Sequence, residues 1–136
     1  MARLILDTGV LVAGARGLLD LAVMGDQDDV VLPAIALAEY TVGVLLTSDE
    51  AARAAQRAFL ADVLSVTPVE DYTPDVAHHH AQLLAHARRT GAPRGAHDLI
   101  IAATARATRR LLVTTDQRAR FDELPDVATR LVTANR

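Results

Sequence analysis

The chain has 136 residues, 51% of them hydrophobic and 23% charged, which suits one compact domain and leaves too little for two of ordinary size. All 14 basic residues are Arg, so the lack of Lys excludes P-loop NTPases and Schiff-base enzymes, and the lack of Cys excludes disulfides and thiolate metal sites. The 17 acidic residues give a net charge of −3, which at first argues against a nucleic-acid partner. Because the sequence shows neither a signal-peptide core nor an apolar run of membrane-spanning length, we expect a cytoplasmic protein without membrane association.

Five short segments are predicted to form β-strands. Three are continuous apolar runs, typical of parallel strands covered on both faces: Leu4–Leu6, Val30–Leu32 and Leu111–Val113. Two alternate between apolar and polar residues, as strands with one wet face do: Leu64–Thr67 and Thr129–Thr133. In chain order, strands 1, 2 and 4 are therefore expected at the centre of the sheet, and strands 3 and 5 at its edges.

Helical patterns occupy the intervals between strands from residue 33 onward. The predicted helices run from Pro33 to about Leu46, from a cap at Ser48–Glu50 to about Ala61, from Thr73–Asp75 to a stop at Gly91, from about His97 to Thr108, and from about Arg118 to Leu124 before Pro125. Strands that alternate with helices indicate an α/β fold with a parallel sheet between two helical layers. No linker or repeat interrupts the pattern, so a single domain over residues 1–136 is predicted.

Four acidic residues fall where this fold would bring them together, at the carboxyl ends of the strands. Asp7 directly follows strand 1, and Asp116 directly follows strand 4. Asp98 lies near the start of the helix that runs antiparallel into strand 4, so it belongs to the same edge. Glu39 lies about 9 Å along its helix, and it can reach back to this edge because helical side chains lean towards the N-terminus.

Each of these acids also has an ordinary structural interpretation. Asp98 and Asp116 suit helix caps, and Asp7 suits a turn at the end of its strand. Glu39 is harder to explain in this way, because its sequence neighbours are apolar and an unpartnered Glu is rarely buried. Carboxylates brought together without basic partners repel one another unless a cation neutralises them. An all-oxygen set favours Mg²⁺ or Mn²⁺, the ions of phosphoryl and phosphodiester transfer.

The segments that carry the acids resemble PIN domains, specifically the VapC-type toxin ribonucleases of type II toxin–antitoxin pairs. The resemblance rests on four short motifs in family order: Leu4–Thr8, Leu32–Glu39, His97–Ala105 and Leu112–Asp116. It implies a three-layer α/β/α PIN-like fold with a five-stranded parallel sheet. It also implies a Mg²⁺-dependent endoribonuclease, commonly a homodimer, that is inhibited by a small antitoxin protein.

In this resemblance Asp7 and Asp98 match the principal metal ligands of the family, and Glu39 and Asp116 match its other acidic positions. Some PIN domains carry a further acid or Asn a few residues after the fourth acid. Here Asp122 is the available acid, more than a helical turn further on, and it is expected to face solvent. A site with one metal ion and a site with two therefore both remain open.

Three further residues lie beside the predicted site. Thr8 matches a Ser or Thr that often helps to hold the site in this family, and it is a candidate substrate contact. Arg94 has the forked guanidinium that suits phosphate, so substrate contact and simple surface exposure are equally open. His97 could donate to the site, although a capping or surface role is favoured. The run His78–His80 cannot chelate one ion, because consecutive helical residues point about 100° apart.

The main functional hypothesis is a metal-dependent endoribonuclease that acts as a toxin, with the four acids as its catalytic and metal-binding residues and RNA as its substrate. The alternative is a catalytically inactive PIN-like module that binds RNA or protein. A phosphatase with Asp7 as nucleophile is disfavoured, because the chain has no Lys to hold the phosphate. If the four acids are set aside, 13 of the 17 acidic residues remain against 14 Arg. The net charge of the rest of the chain therefore no longer argues against an RNA partner.

Overall fold

A parallel five-stranded sheet forms the centre of the molecule in a computed structural model that describes residues 1–134. Its strands are β1 (Arg3–Leu6), β2 (Asp29–Pro33), β3 (Val69–Glu70), β4 (Leu111–Thr114) and β5 (Thr129–Leu131). The spatial order is β3-β2-β1-β4-β5, which confirms that strands 1, 2 and 4 are central and that strands 3 and 5 are at the edges. Leu4 lies in register with Val30 on one side and with Leu111 on the other.

Helices cover both faces of this sheet. They are α1 (Thr8–Ala15), α2 (Leu21–Gln27), α3 (Ala34–Leu46), α4 (Glu50–Val66), α5 (Pro74–Thr90) and α6 (Ala96–Thr108). The side chains of β1 alternate between two cores. Ile5 packs with residues of α5 and α6, whereas Leu4 and Leu6 pack with residues of α1 and α3. The predicted α/β/α architecture with three layers is thus confirmed.

Several predicted helix boundaries are confirmed by their caps. Asp49 accepts a hydrogen bond from the Ala52 amide at 2.8 Å and begins α4. Thr73 caps α5, and Gly91 ends it in the left-handed conformation with φ 64°, which favours glycine. Pro33 differs slightly from its predicted place as a first helical residue. It is the last residue of β2 and the N-cap of α3, because its extended backbone still pairs with Glu70 of β3.

The prediction of a strand at Leu64–Thr67 is wrong. Residues 64–66 form the last turn of α4, and β3 begins only at Val69, after Pro68. A helical stripe that includes Leu60 and Val63 packs against the core and carries the helix five residues beyond its predicted end. Four alternating residues were too few to distinguish a strand from the solvent-facing end of a helix.

The structure also corrects smaller predictions in the segments that follow β1 and β4. Helices α1 and α2 were not predicted, because both are short and contain glycines that weaken the helical pattern. The predicted helix over 118–124 is only a 3-10 turn at Phe121–Glu123, and β5 ends at Leu131. In the described range, no helix is both long enough and apolar enough to span a membrane.

Candidate active site

Asp7 lies at the carboxyl end of β1 and is held by two neighbouring elements. One carboxylate oxygen accepts a hydrogen bond from the Thr8 amide at 2.8 Å, which makes Asp7 the N-cap of α1. The other oxygen accepts from the Thr114 hydroxyl, at the end of β4, also at 2.8 Å. Only 7% of Asp7 is exposed. These contacts fix a buried carboxylate between the ends of two central strands.

Close packing between α1 and the segment after β4 supports this arrangement. An added Cβ at Gly9 would lie 2.9 Å from the Thr115 hydroxyl oxygen, so only glycine fits there without a shift. The Thr114 hydroxyl, besides donating to Asp7, accepts a hydrogen bond from the Asp116 amide at 3.0 Å. Thr114 thereby joins two of the predicted site residues. Sequence reasoning missed this role, and the signal was a hydroxyl at the end of an otherwise apolar strand.

Glu39 reaches back to the same edge, as its position on α3 predicted. It is the sixth residue of that helix, and one of its carboxylate oxygens accepts a hydrogen bond from the Thr8 hydroxyl at 2.8 Å. The other oxygen lies 3.2 Å from Nδ1 of His97. Glu39 is therefore tied to the residue that follows Asp7 and to the residue that precedes Asp98. The surface role favoured for His97 overlooked this contact.

Asp98 and Asp116 differ in how far they serve as caps. Asp98 is the third residue of α6, whose N-cap, Gly95, has no side-chain hydrogen bond, so the capping interpretation does not explain Asp98. Asp116 is exposed and accepts from the amides of Arg118 at 2.8 Å and Ala119 at 3.3 Å. It therefore orders the turn after β4, and its second oxygen stays available to a ligand.

The pKa of Asp7 is raised above its usual range. Burial is the main cause, because it penalises the charged form. Hydrogen bonds from Thr114 and Thr8 act in the opposite direction and favour the carboxylate. The negative charges of Asp98 and Asp116 add to the increase. Asp7 therefore carries a charge that the folded chain alone does not fully compensate.

The pKa of Asp98 is raised for similar reasons. Burial contributes most, followed by repulsion from Asp116 and from Glu39, whereas His97 and Arg94 partly offset the increase. Since Asp116 raises the pKa of both Asp7 and Asp98, and Glu39 raises that of Asp98, the four predicted site residues form one electrostatic group. Within the described residues, none of the four forms an ion pair with an Arg.

Arg94 lies next to this group, but its guanidinium is committed to the protein. Its Nη1 donates to the backbone carbonyls of Ala119 and Arg120, and its Nη2 lies 3.8 Å from a Glu123 carboxylate oxygen. Only 9% of the Arg94 side chain is exposed. The structure thus shows Arg94 holding the loop that follows Asp116, which leaves its guanidinium little freedom to contact a substrate.

The donor set of the site suits a hard divalent cation. All four acids offer carboxylate oxygens, the ligands that Mg²⁺ and Mn²⁺ prefer, and their mutual repulsion would be relieved by positive charge. Among residues 1–134, no three acidic or histidine side chains lie close enough to chelate one ion. Mg²⁺ does not need such a cage, because it usually binds one or two carboxylates together with water and substrate phosphate. The residues present therefore fit a magnesium ion.

Comparison with solved structures shows close similarity to toxin–antitoxin proteins. The chain superimposes on VapBC2 from Rickettsia felis bound to a promoter DNA fragment, with a TM-score of 0.84 and 22% identity over 95% of this chain and 98% of that one. At that identity the likeness concerns the fold alone. VapBC-5 from Mycobacterium tuberculosis, a member of the VapBC family of toxin–antitoxin systems, gives a TM-score of 0.78 and 28% identity over 97% of this chain and 100% of that chain.

A third similar structure is FitAcB from Neisseria gonorrhoeae, with a TM-score of 0.71 and 27% identity over 93% of this chain and 95% of that chain. No curated protein sequence matches the chain significantly. The PIN domain family model, however, matches residues 4–127, a range that includes all four predicted site acids and the sheet apart from β5 and the first residue of β1. The chain therefore belongs to the PIN domain family.

Proposed function

We propose that this protein is a Mg²⁺-dependent endoribonuclease, with Mn²⁺ able to substitute, that acts in the cytoplasm as the toxin of a toxin–antitoxin pair. The observation that carries the proposal is a group of four carboxylates, without an Arg partner in the described residues, at the ligand-binding edge of a PIN domain. Likeness to VapBC structures supports the toxin role. Asp7, Glu39, Asp98 and Asp116 are the proposed catalytic and metal-binding residues.

Asp7 and Asp98 would hold the ion, and Glu39 and Asp116 would complete the pocket. When bound, the ion supplies positive charge that polarises the scissile phosphate and lowers the pKa of the attacking water. Asp7 is already fixed by hydrogen bonds, so it pays little ordering entropy on binding. Glu39 and Asp116 are more exposed and can orient the water. In-line attack on an RNA phosphodiester would leave a 5′-phosphate and a 3′-hydroxyl.

Removing one negative charge at a time tests the proposal. Asp7→Asn and Asp98→Asn keep the side-chain shape, and each is expected to lower Mg²⁺-dependent cleavage of a panel of structured RNAs by at least about 100-fold. Asp122→Asn, at an exposed position on the nearby 3-10 turn, is the matched control and should cleave like the wild type. Melting temperatures in EDTA establish that each variant folds. Cleavage that survives both site substitutions, or that persists in EDTA, would sink the assignment.

Calorimetry with Mn²⁺ separates the enzyme from the alternative of an inactive PIN-like module. A working site binds Mn²⁺, and this binding should be lost or strongly weakened in Asp98→Asn. A wild-type chain that binds RNA or protein, but neither binds Mn²⁺ nor cleaves RNA, would establish the inactive module instead. The intact set of four acids favours the enzyme, since a module without chemistry has no need of an uncompensated carboxylate group.

A small antitoxin protein is the proposed regulatory partner. An open groove of about 1080 Å³ lies between α2 and the end of α4, and none of the four site acids lines it. Its lining includes Leu19, Leu21 and Phe59, and acidic residues such as Asp26 and Asp62 line it as well. An antitoxin segment with apolar and basic side chains would complement both features.

The product of a reading frame adjacent to the gene is the natural candidate for this partner. Asp26→Arg combined with Asp62→Arg is expected to weaken its binding at least about 10-fold, because like charges would then meet at the groove. RNA cleavage without the partner should not change. Asp71→Arg, an exposed charge reversal outside the groove, is the control. Equal binding by the double variant and the control would contradict this site.

A homodimer is the proposed assembly. Val42, Leu45 and Leu46 share the outer side of α3, and each is more than half exposed. Apart from Glu39, α3 has no charged residue, so two copies of this helix can meet without burying a charge. Leu45→Glu should shift the sedimentation coefficient from that of a dimer to that of a monomer. Val66→Glu, at another exposed apolar position, should have no such effect.

A further inference from the structure

The Glu39 carboxylate is held by two side chains from different helices. Thr8, the first residue of α1, donates its hydroxyl proton to one oxygen at 2.8 Å. His97, the second residue of α6, places its Nδ1 3.2 Å from the other oxygen. A carboxylate oxygen can only accept, so Nδ1 of His97 carries the proton in this contact. One donor for each oxygen defines both the position and the plane of the carboxylate.

We propose that His97 is a positioning residue, which acts through Glu39 to aim that carboxylate at the acidic site. The inference rests on the proposed function, since it assigns a role within the same metal site. Glu39 is about one-third exposed, so without His97 one of its oxygens would be released to water and the long side chain would gain rotamers. Fixing it in advance removes that ordering cost from metal binding.

The choice of histidine fits this role. An Arg at position 97 would bring a permanent positive charge beside Asp98 and compete with the cation for the acids. An imidazole donates the same hydrogen bond from Nδ1 without the permanent charge of a guanidinium. The His97 side chain is 57% exposed, so its packing contributes little to the fold, and its contact with Glu39 is its defining interaction.

Two amide substitutions separate the two ring nitrogens of His97. The side-chain nitrogen of Asn lies where Nδ1 lies in His, whereas that of Gln lies near the position of Nε2. A positioning role through Nδ1 predicts that His97→Asn restores Mn²⁺ affinity, measured by calorimetry, to within about threefold of the wild type. His97→Ala and His97→Gln should each bind Mn²⁺ about 10-fold more weakly, the loss typical of removing a group that orients a metal ligand.

The effect of His97 must also depend on Glu39. In a Glu39→Ala background, His97→Ala should cause no further loss of Mn²⁺ affinity, because the side chain that it orients is gone. RNA cleavage measured beside calorimetry should fall in parallel with affinity. His78→Ala, an exposed histidine of α5, is the control and should match the wild type in both measurements. Melting temperatures in EDTA should be equal for all of the His97 variants.

Three outcomes would overturn the inference while leaving the proposed function intact. The first is wild-type Mn²⁺ affinity in His97→Ala. The second is rescue by Gln and not by Asn, which would assign the role to Nε2 and thus to direct contact with water or substrate. The third is a loss of Mn²⁺ affinity on His97→Ala that is equal in the wild-type and Glu39→Ala backgrounds. A wild-type chain that binds no Mn²⁺ would instead overturn the proposed function itself.

Discussion

The acidic residues at the two ends of the sheet have different kinds of partner. At the amino ends of the strands, Asp29 pairs with the guanidinium of Arg110 at 3.3 Å. Its neighbour Asp28 accepts a hydrogen bond from the Ala2 amide at 2.7 Å and lies 3.9 Å from the guanidinium of Arg130. Each of these two acids thus has a cationic partner from a distant segment, and the pairs join the start of β2 to the residue before β4 and to β5.

At the carboxyl ends, the donors to the acids are hydroxyls, amides and an imidazole, and none is a guanidinium in the described residues. The nearest guanidinium, that of Arg94, donates to backbone carbonyls instead. Hydroxyl and amide donors fix the position of a carboxylate without neutralising it. The comparison therefore separates acids that stabilise the fold from acids that are kept available for a ligand.

Removal of Arg110 should produce the largest change in stability. This residue is buried, and its Nη1 also donates to the backbone carbonyls of Leu4 and Asp29. Arg110→Met would remove this donor from both carbonyls and leave the Asp29 carboxylate without its cation, and we expect the free energy of unfolding in urea to fall by about 3 kcal/mol. Arg109→Met, at the exposed neighbour, should change it by no more than about 0.5 kcal/mol. Equal losses of unfolding free energy in the two variants would contradict the stabilising role assigned to the Arg110 contacts at the amino ends of the strands.

Asp7→Asn should have the opposite effect on the stability of the metal-free protein at neutral pH. Burial raises the pKa of Asp7 above its ordinary 3.8, so the folded chain binds this proton more tightly than the unfolded chain does. The associated stability is complete below pH 3.8 and is lost as pH rises through the raised pKa. We therefore expect the variant to gain stability relative to the wild type as pH rises from 4 to 7.

Added Mg²⁺ should reverse this difference. At a concentration about 100 times its Kd, the ion should stabilise the wild type by about 2.7 kcal/mol and Asp7→Asn by clearly less. Thermal unfolding at several pH values, with EDTA and then with Mg²⁺, measures both effects on the same samples. If the stabilities of the wild type and the variant change in parallel with pH and respond equally to Mg²⁺, Asp7 is not a carboxylate whose charge the ion compensates.

The central and edge places of the strands and the gathering of the acids could be predicted because they follow from local patterns. Leu4–Leu6 is apolar throughout and is followed at once by Asp7, which specifies both a central strand and the place of an acid at its end. The end of α4 could not be predicted, since four residues, Leu64–Thr67, are too few to distinguish the hydrophobic period of a helix from that of a strand. The length of that helix depends on packing against a core formed by distant segments.

Which residues contact one another in the site was harder to predict than which acidic residues belong to it. Arg94 follows a proline in a short loop with two glycines, a setting typical of an exposed side chain. Its burial depends on the carbonyls of Ala119 and Arg120, which lie 25 and 26 residues further along the chain. His97 likewise meets Glu39 across 58 residues. Pairings of this kind require distant segments of the chain to be placed in space, and no local pattern encodes them.

The smallest predicted effect concerns the Arg residues around the carboxyl ends. Eight of the 14 Arg lie within residues 88–120, where Asp98 and Asp116 are the only acids. The loop 91–95 is too short for anything but an antiparallel α5–α6 pair, so Arg88 and Arg89 at the end of α5 lie near the start of α6. Both are exposed and suited to the phosphates of an RNA strand.

Replacing Arg88 and Arg89 with Gln should weaken RNA binding several-fold and leave Mn²⁺ affinity unchanged. For a single strand, the slope of log K against log salt should become shallower by about 1.4, or about 0.7 for each lost phosphate contact. Arg53→Gln with Arg57→Gln, on α4, removes the same charge from a region that is otherwise acidic and should leave the slope unchanged. Equal changes in both double variants would mean that RNA senses only the net charge of the protein, and that its phosphates are not held beside the acidic site.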